Sequence, residues 1–376
     1  MIAIRISELS ANDKLKIKKQ SNEIFNMQDV YILLKDEVFD EDYIPSAIVG
    51  RERQIEELRF CLMPATKRRK PFHSWLFGPP GTGKTTVAKY LLEKLYEEAN
   101  VMGIYVDCRE AKSFYAILEK TLHGLRGFGF LALPKSAERN TLVKLETLRK
   151  CIGERPVVIV LDEIDQLAER ERNDVLYHLA TIGKIGLVCV AGSRYPLILL
   201  DSRVASRLGA TRIEFEPYTI EEVVAILKPR ASLGLAPGAW SEGILRAIAR
   251  LSSGDARIAI QTLRMAANLA EQEGSKAIKD QHVQKAYQGV KELKKHYELK
   301  SLSPHQRVVY EIIKAQPNIT SSNLRRRYIE ACKGMGAQAL SERSYNACLE
   351  KLIKAGLIAR KRLNVRGRVF AYFAAE

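Results

Sequence analysis

A chain of 376 residues, 46% of them hydrophobic, can build two or three packed domains and is neither fibrous nor largely disordered. Its 60 Lys and Arg against 44 Asp and Glu give a net charge of +16, which points to a polyanionic partner without choosing between nucleic acid and anionic lipid. No 18 apolar residues run together, the start lacks a secretory apolar core, and the six cysteines stand far apart without a C-x-x-C pair. Membrane-spanning and secreted classes are thereby excluded, and a cytoplasmic protein with no membrane partner and buried, reduced cysteines is expected.

Residues 1 to 25 mix Lys14, Lys16, Lys18 and Lys19 with little periodicity and read as a mobile basic tail, a DNA-contacting arm being the alternative. From Asp36 to Pro45 the chain is acidic and turn-rich. It leads into Ile48 to Leu58, where Ile55, Leu58 and Leu62 fall at helical spacing. This segment either packs on an adenine, with Ile48 and Val49 at the base, or is a plain surface helix. Next come an apolar run, Trp75-Leu76-Phe77, and Gly78-Pro79-Pro80-Gly81-Thr82-Gly83-Lys84-Thr85, which fits G-x-x-x-x-G-K-[ST] at every specified position. An amphipathic stretch starts at Thr86. Glycines let successive N–H groups face one anion, and the following helix turns its positive end toward it. Pro79 to Thr86 are therefore expected to hold a nucleotide, with Lys84 on the β- and γ-phosphates and Thr85 on Mg²⁺.

Val87, Tyr90, Leu91 and Leu95 mark one face of a helix, and Gly103 to Cys108 reads as a second buried strand. Between Ser113 and Cys151 two helical patterns are separated by a Gly-rich linker, Leu122 to Pro134, which looks inserted. Pro156-Val157-Val158-Ile159-Val160-Leu161-Asp162-Glu163 is an apolar run ending in two acids, the pattern of a central parallel strand that delivers carboxylates to its C-terminal edge. Asp162 is expected to hold Mg²⁺ through its water shell, Glu163 to orient or deprotonate the attacking water, and Asp165 to cap a helix. Gly186 to Gly192, ending at Ser193 and Arg194, and Thr211 to Phe215 complete the strands. Their alternation with helices over 72–216 predicts an α/β domain with a parallel sheet. From Thr219 to Lys300 the pattern is helical, and Gly254-Asp255-Ala256-Arg257 opens a third helix whose Arg257 meets nucleotide phosphate if the bundle folds over the site and is otherwise a surface arginine near a helix start.

The last fifth of the chain, from Ser301, carries fourteen Lys/Arg against five Asp/Glu, a surplus of nine. Ser303-Pro304 starts one helix, a second follows Thr320, and a third begins at Ser341 with Tyr345, Cys348, Leu349, Leu352 and Ile353 as its apolar stripe. Leu357 to Leu363 and Arg368 to Phe373 read as strands joined by a turn at Asn364 to Gly367. Three helices and a basic hairpin make a winged helix-turn-helix. Its third helix presents Arg343 and Asn346 to guanine and adenine edges, while Arg360, Arg362, Arg366 and Arg368 supply charge for phosphates or the minor groove. A protein-interaction module is the competing reading.

GPPGTGKT, VVIVLDEID, LDSRVASRLGATRIEFEPYT and GDARIAIQTLR in this order resemble the AAA+ ATPases, and more narrowly the archaeal replication initiators related to the origin recognition complex and cell-division-cycle proteins. The resemblance runs from Tyr43 to Glu376. Together with the readings above it divides the chain into a basic tail (1–25), an AAA+ domain (26–217, insert 122–135), a helical lid (218–300) and a winged-helix domain (301–376). It also implies ATP/ADP and Mg²⁺ as cofactors, Tyr218 at the nucleotide and Arg257 as second sensor. Ser193 stands at the first-sensor position, where the family usually has Asn. Arg203 and Arg207 match the box that supplies an arginine finger to a neighbouring subunit, so a lone protomer hydrolyses slowly. Arg126, Phe128 and Phe130 correspond to the insertion that meets DNA, or pack within the insert itself. The implied function is an ATP-regulated switch on double-stranded origin DNA that recruits or loads the replicative helicase, possible paralogous initiators being further partners, at the nucleoid. Clamp-loader or helicase-type motors and an NTPase transcription regulator are the alternatives.

Overall fold

Residues 31–128, 140–363 and 370–374 are described by the structure, a computed structural model. They divide into two compact units, on either side of Ala286 and Tyr287, rather than at the expected boundary of 300. No helix among the described residues is long and apolar enough to cross a membrane.

The apolar runs of the first unit become the strands of a parallel sheet ordered β2-β3-β4-β1-β5. In chain order its elements are α1 (Glu52–Leu62), β1 (Ser74–Phe77), α2 (Lys84–Ala99), β2 (Met102–Asp107), α3 (Phe114–Gly127), α4 (Thr141–Ile152) and β3 (Val157–Asp162). There follow α5 (Glu169–Ala180), β4 (Ile185–Ala191), α6 (Tyr195–Ile198), α7 (Ser202–Leu208) and β5 (Thr211–Glu214). All six residues of β3 are buried, as are all seven of β4, because helices cover both faces. Side chains alternate between the two covers. Trp75, Phe77, Ile159 and Leu161 enter one core, and Leu76, Val158, Val160 and Val190 the other. The register sets Phe77 level with Ala191 and Asp107 level with Asp162, so the exits of β1, β3 and β4 share one edge.

At the opposite edge His73 is buried, and its Nδ1 accepts the backbone N–H of Leu187 at 3.0 Å. Burial, aided by the charge of Lys70, pushes its pKa down to about 4. The unfolded chain takes up a proton near the ordinary value of 6.5 and the folded one does not, so stability falls as pH drops from about 6.5 to 4. The loss should approach about 3 kcal/mol. Urea titrations at pH 7 and pH 4.5 check this, and His73→Gln should flatten the difference.

The lid comprises α8 (Ile220–Gly234), α9 (Glu242–Ser252), α10 (Ala256–Gln272) and the start of α11 (Asp280–Ser301). A capping box between Thr219 and Glu222 begins α8. Two expectations are corrected here. Residues 32–40 pack on the lid rather than on the sheet: Ile32, Val38 and Phe39 are buried in the lid core, with Leu33 and Tyr43 packed against it, while Asp42 reaches back to Lys89 of α2. Leu33 bridges to Leu235, Ile32 and Leu33 donate their N–H groups to Glu271 Oε1 at 2.6 and 2.7 Å, and Arg264 pairs with Asp36 and Asp40. Two apolar residues, Val38 and Phe39, on a short acidic 3₁₀ turn (Asp36–Phe39), together with Ile32 before it, explain why the segment seeks that core. The Gly-rich stretch from Leu122 also starts as helix, not linker. α3 continues through Gly127, because Leu118, Leu122 and Leu125 keep helical spacing and are buried.

The second unit is built from α12 (Pro304–Ala315), β6 (Ile319–Thr320), α13 (Ser321–Gly334), α14 (Glu342–Lys354), β7 (Ile358–Arg362) and β8 (Phe370–Ala374). Ser303 and Gln306 form a capping box at α12, and Pro304 occupies the first turn. The expected hairpin strands pair antiparallel, and β6, which the sequence did not announce, adds a third strand on the far side of β8. Val309, Ile313, Leu324, Tyr345, Leu349 and Leu352 meet in one core.

Candidate nucleotide site and nucleic-acid interface

The phosphate loop leaves β1 at Gly78 and enters α2 at Lys84. Gly81 has φ +72°, and a Cβ there would stand 1.8 Å from Asp255 Oδ1, so only glycine lets the loop and the lid approach. The lid closes that approach with backbone hydrogen bonds. Ala256 donates its N–H to the Gly81 carbonyl at 3.1 Å, and Tyr218 donates to the carbonyl of Gly254 at 3.1 Å. Arg257 follows in the first turn of α10, exposed, with its N–H on Asp255 Oδ1 at 3.0 Å. The Tyr218 hydroxyl lies against Gly83, where a Cβ would be 2.4 Å away.

Lys84 is 9% exposed and its Nζ donates to the carbonyls of Gly78 and Pro79 at 2.8 and 2.7 Å. Burial, opposed by Glu163 and reinforced by Arg257, lowers its pKa to about 8. A buried ammonium held only by dipoles is a strong attractor for an anion. One strand pair away, Thr85 Oγ1 donates to Asp162 Oδ2 at 2.8 Å, the pairing expected if both serve one cation. Glu163 sits in the left-handed region at φ 52°, and its pKa is raised by burial first, then by Asp165 and Asp162. A carboxyl of this kind is suited to general-base work.

Asp165 does not cap a helix, as the sequence suggested. It lies within the 3₁₀ turn Ile164–Gln166, and its Oδ2 accepts the N–H of Gly192 at 3.3 Å, tying the exit of β3 to that of β4. Ser193 is next along, half-buried, with Tyr195 N–H reaching its Oγ at 3.4 Å. Ile48 packs on the core that covers α2, and Val49 is half-buried beside it. A pocket of about 260 Å³ opens next to them between the start of α1 and the link into α8, lined by residues including Gly50, Arg51, Gln54, Pro217 and Thr219.

Arg51 is the residue that sequence reasoning missed. Only 4% exposed, it donates from Nε to Thr82 O (2.9 Å), from Nη1 to Gly50 O (2.7 Å) and from Nη2 to Glu216 O (2.6 Å), with its guanidinium 3.6 Å from the Tyr218 ring centre. It thereby pins the phosphate loop to the link between sheet and lid. A signal was present: a cation immediately before the N-terminus of α1 opposes the helix dipole and needs another reason to be there.

An AAA ATPase domain matches residues 47–190, and a Cdc6 AAA+ ATPase-type lid domain matches 224–288. ORC1-type DNA replication protein 1 of Sulfurisphaera tokodaii is 30% identical over 345 residues, 87% of this chain and 85% of the relative. The chain belongs to the ORC1-type DNA replication proteins. Among solved structures, Aeropyrum pernix ORC1 in complex with DNA superposes with TM-score 0.72 at 26% identity, covering 91% of this chain and 94% of that one. Aeropyrum pernix ORC2 in ADPNP-ADP complexes does so with TM-score 0.62 at 25% identity, over 92% and 94%.

In this ORC1-type chain the arginine-box residues Arg203 and Arg207 are both exposed on α7, Arg207 with its guanidinium 5.1 Å from the Tyr177 ring centre. Arg126 is exposed near the end of α3. Phe128 departs from expectation: it packs against the sheet's core and meets Tyr96 edge-on at 5.3 Å, because α3 carries it back to the domain instead of out into a linker. Phe130, Arg366 and Arg368 lie outside the described residues.

On α14, Arg343 and Asn346 are exposed, opposite the buried stripe of Tyr345, Cys348 and Leu349. Arg362 is exposed at the end of β7. Arg360, exposed on β7, is drawn toward Glu350: its Nη1 donates to Glu350 Oε1 at 2.6 Å and its guanidinium stands 5.0 Å from the Phe370 ring centre. Arg325 is likewise drawn inward, with its guanidinium 4.4 Å from the Tyr345 ring centre and Nη2 on the Leu340 carbonyl at 2.7 Å.

Proposed function

We propose that this chain is an ATP-regulated replication initiator that binds double-stranded origin DNA and recruits or loads the replicative helicase, with slow hydrolysis serving as a switch in the cytoplasm, at the nucleoid. The observation that carries the regulatory part is the direct docking of the lid turn Gly254 to Arg257 on the phosphate loop at Gly81. Whatever occupies the loop must act on the lid, so ATP and ADP can favour different lid positions.

The donor set fits a nucleoside triphosphate with Mg²⁺. Lys84 and the loop N–H groups would hold the phosphates, Arg257 would approach from the lid, and Thr85 with Asp162 would hold the cation, which supplies charge neutralisation on the phosphates when bound. Glu163 would take a proton from the attacking water, and Ser193 would orient it with a shorter reach than Asn. An exposed Arg203 or Arg207 suits a finger offered to a neighbouring copy. The ADPNP-ADP complexes of Aeropyrum pernix ORC2 support the nucleotide assignment.

For DNA, the second unit has the element order of a winged helix-turn-helix, with α14 as the recognition helix and Arg343 and Asn346 outward. The DNA complex of Aeropyrum pernix ORC1 supports this reading. The test is fluorescence anisotropy of the full chain on duplex DNA from the organism's own origins. Arg343→Ala with Asn346→Ala should weaken specific binding by about 10- to 100-fold, each base contact being worth roughly 1–3 kcal/mol, while the salt slope changes little. Unchanged affinity in the double variant would turn the second unit into a protein-interaction module.

A further inference from the structure

Three donors converge on the Asp162 carboxylate, and one of them has no part in the phosphate-loop motif. Tyr105 stands on β2, level with Val160 of β3, and its hydroxyl donates to Asp162 Oδ2 at 2.7 Å. Thr85 Oγ1 donates to the same oxygen at 2.8 Å, and Oδ1 takes the N–H of Glu163 at 2.9 Å. The Lys89 ammonium lies 4.7 Å from the centre of the Tyr105 ring and donates to Asp42 at 2.7 Å, so the ring is braced from one face.

We propose that Tyr105 is a positioning residue for Mg²⁺: its hydroxyl locks the Asp162 carboxylate in the orientation that faces Thr85. This inference rests on the reading of Thr85 and Asp162 as the cation's residues. Without the phenol oxygen, Oδ2 keeps a single side-chain donor and the carboxylate gains torsional freedom, which cation binding must then remove. Loss of an outer-shell hydrogen bond of this sort typically weakens metal affinity by about 10- to 100-fold. Phosphate contacts made by Lys84 and the loop do not pass through Tyr105, so nucleotide binding without metal should be spared.

The experiment titrates full-length wild type, Tyr105→Phe and Thr85→Val with a fluorescent ATP analogue, in EDTA and across a series of free Mg²⁺ concentrations, with thermal melts in parallel. For Tyr105→Phe the Mg²⁺ midpoint should rise about tenfold or more. Its metal-free affinity should stay within about twofold of wild type, and its melting temperature should barely move. An unchanged midpoint in Tyr105→Phe beside a shifted one in Thr85→Val would overturn the role of Tyr105. An equal loss of affinity with and without metal would overturn it too, because that is the mark of a packing defect. A wild type whose nucleotide affinity ignores Mg²⁺ would instead overturn the cation assignment of Thr85 and Asp162 itself.

Discussion

Lys84→Ala should raise the dissociation constant for ATP by about 30-fold to several thousandfold, roughly 2–5 kcal/mol, while the melting temperature shifts by no more than ~3 °C. Both halves follow from how the ammonium is held. It is buried and satisfied by the carbonyls of Gly78 and Pro79, with a longer contact to Thr82 Oγ1 at 3.4 Å, and burial has pushed its pKa down to about 8. Because that value lies below the ordinary 10.5, the charged form is disfavoured in the fold at neutral pH, and stability is regained only as pH rises from about 8 to 10.5. Alanine removes this penalty, which offsets the two lost hydrogen bonds. What it cannot replace is the charge-assisted contact to phosphate. Calorimetric titration with ATP, melts, and duplex-DNA anisotropy on the same sample check the three parts. DNA affinity of the second unit should persist, and ATP affinity within threefold of wild type would remove Lys84 from the site.

Glu163→Gln is the second large effect. Hydrolysis should fall by about 10²- to 10⁴-fold, the span of a lost general base, with ATP affinity retained. Stability gives an independent sign. Burial and the neighbouring Asp165 and Asp162 raise the Glu163 pKa, so the ionised form lowers stability once pH rises above the ordinary carboxylate range. A neutral isostere escapes this, and the variant should melt higher than wild type at pH 7. Single-turnover hydrolysis and a paired melt decide the matter. A variant that hydrolyses normally would make Glu163 a bystander on a left-handed turn.

Legibility divided along sequence distance. The phosphate loop, the acid pair and all five strands of the parallel sheet were readable, because each is encoded within eight or so contiguous residues by glycine freedom, apolar runs and strand-end acids. The stripe on α14 was readable for the same reason. Arg51 was only half legible: its place just before α1 marks it as unusual, but its acceptors on Thr82 and Glu216 lie 31 and 165 residues away, so the sequence does not say what it holds. Tyr105 looked like any aromatic in a buried strand until the register with β3 brought Asp162 to its hydroxyl. Phe128 misled in the opposite way: a place in a linker was inferred from the glycines around it, while α3 carries it back to Tyr96.

The packing of residues 32–40 into the lid fixes an order of events at the ribosome. Ile32, Val38 and Phe39 emerge early, yet their partners on α8, α9 and α10 are translated only about 200 residues later. At roughly 5–20 residues per second that is a wait of about 10–40 s, during which the α/β core can form and these three side chains have no burial to enter. The lid in turn is covered at Gly234 by this leader segment, where a Cβ would stand 2.5 Å from Phe39 Cε2. During that interval the leader's apolar side chains lack the lid surface that covers them in the folded chain. A fragment begun after Tyr43 lacks the leader altogether and leaves the lid surface at Gly234 uncovered.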